Sequence, residues 1–242
     1  MNECVGVNAH GAEIFGSGHD TESSEQLRQE MTSSDHMGLM QQEFLSLLAA
    51  RQGHFKLESG HHGDLWLDLD LLFLRPRSVR RFAVELAGRL ARYNVAAVCG
   101  PLVGGALLAQ AIAAELDVEF CYTERLVLPQ HDALYPVEYR LPHSLRQRVR
   151  GKSVAIVDDV INAGSAVRGT LADLQFCGAR SVVIGALLAL GSAAPRFFAS
   201  QDIPLESIAY LSSGLWAPSE CPLCASQTPL EDVAASGKET VR

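Results

Sequence analysis

The 242 residues lack several things that would each point to a class of protein. No apolar run approaches the roughly 20 residues that a membrane-spanning helix needs. The N-terminus has no basic region followed by an apolar one, so no secretory signal peptide is expected. No Gly-Lys-Ser/Thr follows any glycine-rich turn, which excludes a Walker-type nucleotide loop. No internal repeat is present. Positive charge is in deficit, with 20 Lys and Arg against 28 Asp and Glu and a net charge of −8. That balance argues against a nucleic acid held through its phosphates. The six cysteines, Cys4, Cys99, Cys121, Cys177, Cys221 and Cys224, are scattered, and three lie in apolar, strand-like or helical surroundings. Buried free thiols of that kind suit a reducing compartment. A cytoplasmic protein with no membrane partner is expected.

What is present is ordinary for a folded enzyme-sized domain. Hydrophobic residues make up 48% and charged residues 20% of the chain, and its length suits one large α/β domain with a substantial core. Residues 1–34, rich in Gly, Ser, Glu and His, read as an extension without fixed structure. Ser34 or Asp35 caps an expected helix running to about Arg51. Pro76 opens a helix with Phe82, Leu86 and Leu90 inward. Strands and helices alternate from 79 to 190, which implies a parallel sheet with right-handed crossovers. Tyr135 to Leu141 alternates as a hairpin arm would, and the last strand is expected within Ile203 to Leu211.

The most informative stretch is Ser153-Val-Ala-Ile-Val-Asp-Asp-Val-Ile-Asn-Ala-Gly-Ser-Ala166. A buried strand, Val154 to Val157, ends in Asp158-Asp159, and a turn through Ile161, Asn162, Ala163, Gly164, Ser165 and Ala166 leads into a helix. Such a turn aims backbone N–H groups at one point, and the helix N-terminus adds positive partial charge. That is a phosphate cradle. The neighbouring carboxylates are suited to accept hydrogen bonds from vicinal hydroxyls, so the pair of features describes a ribose 5-phosphate. A second strand-to-helix turn, Gly100-Pro-Leu-Val-Gly-Gly105, is also suited to an anion, because glycine lets a backbone approach closely. Both turns fall at the carboxyl ends of parallel strands, where such sheets bind ligands.

The 153–166 stretch resembles the signature of the type I phosphoribosyltransferases, which bind 5-phosphoribosyl diphosphate (PRPP). The 53–60 stretch, Gly53-His-Phe-Lys-Leu-Glu-Ser-Gly60, followed by Leu65-Trp-Leu-Asp68, resembles the N-terminal hood of the orotate branch. The resemblance spans about residues 40–212. It implies a type I phosphoribosyltransferase fold, a mainly parallel sheet flanked by helices, over 35–215, with a hood at about 53–72; the Cys-x-x-Cys segment and tail, 216–242, follow the last strand and fall outside the matched region. It implies transfer of ribose 5-phosphate from PRPP to a nucleobase, orotate first, with pyrophosphate released, Mg²⁺ arriving with PRPP, and a homodimer. Asp158 and Asp159 would hold the ribose hydroxyls. Residues Ile161 to Ala166 would hold the 5-phosphate, and Pro101, Leu102, Val103, Gly104 and Gly105 the pyrophosphate. Lys56, Ser59, Gly60, Trp66 and Asn162 would meet the base, with Trp66 either stacking on it or serving as core. Arg125 would act from a loop near 125–134 that closes over the site.

The departures from the family pattern are as specific as the matches. Glu58 stands where the family has Lys before Ser-Gly. Only Arg125 and His131 are on offer for the basic residues of the closing loop. Asn162 replaces Thr, and Leu190-Gly191 replaces an Asp-Arg pair whose Arg contacts the orotate carboxylate. Two alternatives therefore stay open: salvage of another base, and a PRPP or nucleotide sensor without turnover. Last comes Cys221-Pro-Leu-Cys224, which reads as half of a structural zinc site, as a structural turn, or as a redox pair. For zinc, the missing ligands would come from His54, His61, His62, His131, His143 or a second chain.

Overall fold

Apolar residues alternate along the central strands, and that alternation sorts the core into two layers. The computed structural model describes residues 37–127 and 137–232. Contacts separate Met1–Leu39 from Met40–Arg242. Of the first unit only residues 37–39 are described, within a helix, α1, over residues 37–45. The expected extension and its capping residues lie outside the described residues.

After α1 comes a hairpin of β1 (Ala49–Lys56) and β2 (His62–Asp68), then a 3-10 turn at Asp70–Leu74 and α2 (Pro76–Ala91). Next are β3 (Ala97–Pro101), α3 (Gly104–Leu116), β4 (Glu119–Val127), β5 (Val137–Arg140) and a short α4 (His143–Arg146). Then follow β6 (Ser153–Ile161), α5 (Ser165–Phe176), β7 (Arg180–Leu190), α6 (Ala193–Ala199) and β8 (Leu205–Leu211). The chain continues through β9 (Leu215–Trp216), a 3-10 turn at Pro218–Glu220, α7 (Pro222–Ala225) and β10 (Glu231–Asp232).

The larger sheet has the order β5-β4-β3-β6-β7-β8. Its strands are parallel except β5, which returns antiparallel to β4. On β6, Ala155 and Val157 point into one core layer with Phe44, Phe82, Leu86, Leu90, Leu108 and Ile112 from α1, α2 and α3. Val154 and Ile156 point into the other, with Val167, Leu171 and Leu174 from α5 and Phe198 from α6. Burying each such side chain fully stabilises the fold by roughly 1.5–3 kcal/mol.

The order reverses at β3, because α3 leads to β4 on one side while β6 sits on the other. Strand β3 pairs with β6 only from Ala97↔Val154 to Cys99↔Ile156. Beyond that, β3 runs into its turn, and β6 continues along β7 as far as Ile161↔Ala189. A crevice opens between them at the point where sheets of this kind bind ligands.

Three boundaries differ from the sequence reading. The first helix stops at residue 45, because Ala49, Ala50 and Arg51 pair with Asp68, Leu67 and Trp66. Sheet pairing there overrides the helix preference of alanine. Strand β6 runs through both aspartates rather than ending at them. The C-terminal segment joins the hood. Its β9 and β10 flank the hairpin in a second sheet of order β10-β1-β2-β9, so the hood starts at Ala49 and includes residues beyond 215.

Strand β5 is held to α5 by Asp173, which is 1% exposed. Its Oδ2 accepts the Leu141 N–H at 2.7 Å, and its Oδ1 accepts from Arg140 Nη1 at 3.0 Å. Asp173→Ala strands the buried Leu141 N–H and is expected to destabilise the protein by about 2–4 kcal/mol, measured by chemical denaturation.

Candidate active site

Beyond the last β3–β6 pair, a cleft of about 310 Å³ lies between the hood and the two turns. It is lined by Ser59 and Trp66 from the hood, by Pro101, Leu102, Val103 and Gly104, by Asp158 and Asp159, and by Asn162, Ala163, Gly164, Ser165 and Ala166. The fold thus brings most of the expected residues together. Five stand off the lining. Ile161 is 1% exposed and belongs to the core. Gly60 makes the hairpin turn at φ 79°. Gly105 lies behind Gly104, against Asp158. Arg125 reaches the cleft only through Glu58. Lys56 points to the outer edge of the hood and pairs with Asp232 at 3.3 Å, so it is not brought to the base site. The Cys221/Cys224 pair lies elsewhere, in the hood. Of the expected closing loop, His131 and its neighbours lie outside the described residues.

The acidic pair is packed against the first turn. A Cβ on Gly104 would collide with the Asp159 carboxylate, and one on Gly105 would lie 2.7 Å from Asp158 Oδ1. Only glycine lets the backbone come this close. Asp158 Oδ1 accepts the Asp159 N–H at 3.1 Å, and Asp159 Oδ1 accepts the Val160 N–H at 2.8 Å. Burial pushes the Asp158 carboxyl well above the usual carboxylate range, and the charges of Asp159 and Glu58 push it further.

The second turn enters α5 through Gly164, whose φ of 78° is left-handed. Gly164, the N-cap, has no side chain to cap the helix, and the first N–H groups of α5 have no intrahelical partner. The buried Asn162 Oδ1 has no hydrogen-bond partner among the described residues. Both features are what an anionic or polar ligand would satisfy.

Glu58 is the residue that sequence reasoning noted only as a departure. It joins the hood to the cradle. Its Oε1 accepts from Tyr139 Oη at 2.8 Å and from Ser165 Oγ at 3.3 Å, while Oε2 accepts from Arg125 Nε at 2.9 Å. Burial, with the Glu58 charge beside it, raises the Tyr139 phenol well above its usual value, so Tyr139 stays a donor. Tyr139 went unassigned in the sequence, although the alternation of 135–141 puts it on the inward face with Val137 and Leu141. The cleft also has apolar lining, which includes Leu65, Leu67, Leu69 and Leu190.

Fold and crevice define a class: an α/β protein with an acidic pair and two turns suited to anions, all meeting at one switch point of a parallel sheet. The chain belongs to the phosphoribosyl transferase domain family, whose sequence profile matches residues 74–196. It is 28% identical over 187 residues to the orotate phosphoribosyltransferase of Caldanaerobacter subterraneus subsp. tengcongensis, covering 77% of this chain and 91% of that one. It is 28% identical over 193 residues to the orotate phosphoribosyltransferase of Thermotoga maritima, covering 78% and 94%. Among solved structures, orotate phosphoribosyltransferase of Mycobacterium tuberculosis H37Rv superposes with a TM-score of 0.54 at 17% identity, over 71% of this chain and 96% of that one. Adenine phosphoribosyltransferase of Rhodothermus marinus gives 0.56 at 18% identity, over 72% and 99%. These structures share the fold. No helix among the described residues is long and apolar enough to cross a membrane.

The native state binds the Asp158 proton more tightly than the unfolded chain does. Wild-type stability therefore falls as pH rises from the unfolded carboxylate pKa toward the raised folded one. Asp158→Asn removes that fall. It is expected to raise the thermal midpoint at pH 7–8, with the gain shrinking as pH drops toward 4, in melts recorded across pH.

Proposed function

We propose that this chain transfers the ribose 5-phosphate of PRPP to orotate and releases pyrophosphate. The observation that carries the reading is the meeting of both glycine-bearing turns and the acidic pair in one cleft under the hood. Residues 162–166 receive the 5-phosphate, through the first N–H groups of α5 and Ser165 Oγ. Residues 101–104 receive the pyrophosphate. Asp158 and Asp159 accept hydrogen bonds from the ribose hydroxyls, and Asp159 stabilises positive charge at the anomeric carbon as its bond to pyrophosphate breaks and one to a ring nitrogen forms. The protein's contribution is position and charge rather than covalent chemistry. The cleft's carboxylate oxygens are hard donors that fit Mg²⁺, and a bound cation would favour the ionised form of Asp158 that burial disfavours. When bound, Mg²⁺ would neutralise the leaving pyrophosphate. Trp66 and Asn162 are the residues offered to the base. Arg125 itself sits in β4, paired with Tyr139 of β5, rather than in a loop; a closing loop, assembly as a homodimer and a cytoplasmic setting follow from the family resemblance.

Orotate is chosen because the full-length sequence relatives carry that name. The fold itself does not discriminate, since an adenine enzyme superposes as well. One observation favours a second reading, a PRPP-binding regulator without turnover. The Glu58 carboxylate sits within reach of Ser165, where the 5-phosphate has to bind. Two like charges there cost on the order of 1–4 kcal/mol unless Glu58 moves away.

The deciding assay incubates the protein with PRPP, Mg²⁺ and orotate, uracil, adenine or hypoxanthine, and follows nucleotide and pyrophosphate. Orotidine 5′-phosphate is the expected product. Product from another base alone would overturn orotate and keep transfer. PRPP binding without product from any base would favour the regulator.

A further inference from the structure

We infer that His54, His62, Cys221 and Cys224 form a closed, structural zinc site that clamps the C-terminal segment to the hood. The four ligand atoms lie within 4.8 Å of one another. Cys221 Sγ is 3.4 Å and Cys224 Sγ 3.7 Å from His54 Nε2, while Cys224 Sγ is 3.3 Å and His54 Nε2 3.0 Å from His62 Nδ1. Zinc bonds of about 2.0–2.3 Å to nitrogen and sulfur give a tetrahedron with edges of about 3.3–3.8 Å. The observed separations fall close to that range before any ion draws them in.

The chemistry of the four groups supports the same reading. The Thr228 carbonyl, 2.8 Å from His54 Nδ1, can only accept, so Nδ1 carries the hydrogen and Nε2 presents its lone pair. Backbone support of this kind is what orients histidine ligands at metal centres. Around that one lone pair crowd two sulfurs and a second imidazole nitrogen, more neighbours than a single shared proton can serve. One divalent cation satisfies all of them. Two thiolates match its charge, so a neutral centre is buried and two protons go to solvent. His54, His62 and Cys221 are 3%, 6% and 4% exposed, and Cys224 stands at the surface, so three of the four ligands are shielded from solvent. Two sulfur and two nitrogen donors in a tetrahedron select zinc, and the absence of a fifth position makes the site structural rather than catalytic.

The site also has a task in the fold. Strands β9 and β10 each contribute only two residues to the hood sheet. The ion pairs that help β10, Arg51–Glu231 and Lys56–Asp232, are exposed and worth little. A four-ligand ion would join β1, β2, the turn before Pro222 and α7 at one point. His54 lies on the strand that leads to Glu58 and Ser59, and His62 on the strand that leads to Trp66. Because Lys56↔His62 is the last pair before the hairpin turn, the clamp fixes the turn end of the hairpin, next to the Glu58 and Ser59 that line the cleft.

The full-length protein, purified without added metal, is expected to carry about one equivalent of zinc by elemental analysis. Exchange for cobalt(II) should give the intense visible bands and thiolate charge transfer of a tetrahedral site. Cys221→Ser/Cys224→Ser should lose the metal and melt at least about 5 °C lower. Should that variant be insoluble, the cobalt spectrum of the wild-type protein still decides. Zinc below a tenth of an equivalent, a weak octahedral cobalt spectrum, or a Cys221–Cys224 disulfide in the purified protein would each overturn the site.

Discussion

The parting of β3 from β6 is the constraint on which the rest of the molecule depends. Two parallel strands that pair for three positions and then diverge leave a gap floored by backbone. Two carboxylates fill that gap, pressed so closely to the 104–105 turn that no side chain fits between. The arrangement is locally unfavourable, with a desolvated carboxyl beside two other acids. It persists because the surrounding layers are deeply apolar, and Val157, Leu187, Leu188 and Ile184 around it are fully buried. Strain of this sort, held by a stable scaffold, is what a site for a polyhydroxylated, multiply charged ligand needs.

The hood shares core packing with the main sheet through Leu67, with Leu65 against it, and it is tied to the gap itself by polar contacts. Glu58 takes hydrogen bonds from Tyr139 on β5, Arg125 on β4 and Ser165 at the start of α5, so one side chain ties together three elements around the cleft. These contacts hold the hood against the cradle. On the proposed reading, a 5-phosphate would compete for Ser165 with a carboxylate that has two other donors to keep it. The same residue thus sets the resting position of the hood and opposes the ligand's charge.

Much of the fold could be read from the sequence, because strand and helix periodicities are local. The Pro76 start and the inward Phe82, Leu86 and Leu90 followed directly, as did the acidic motif and both turns. The two-residue strands β9 and β10 are too short to leave a periodic trace, which is why the sequence reading left the C-terminal segment outside the hood. Lys56 was misjudged because nearness to Ser59 and Gly60 in sequence says nothing of the edge its strand presents, and β10 supplies Asp232 on that edge. The Cys-x-x-Cys spacing was visible. The histidines that complete it, His54 and His62, lie far upstream in the chain and are brought to the cysteines only by folding. Glu58 was visible as an oddity, but its three partners, from three other elements, were not.

The central claim is that Asp158 and Asp159, between the two turns, hold the ribose while pyrophosphate leaves. It is tested most directly by pyrophosphate release from PRPP in the Asp158→Asn/Asp159→Asn double variant, compared with wild type on the best base, with circular dichroism to verify the fold. Loss of two charge-assisted hydrogen bonds, each worth about 1.5–3 kcal/mol, predicts a fall in kcat/KM of at least a hundredfold. Release at the wild-type rate by a folded double variant would contradict the assignment.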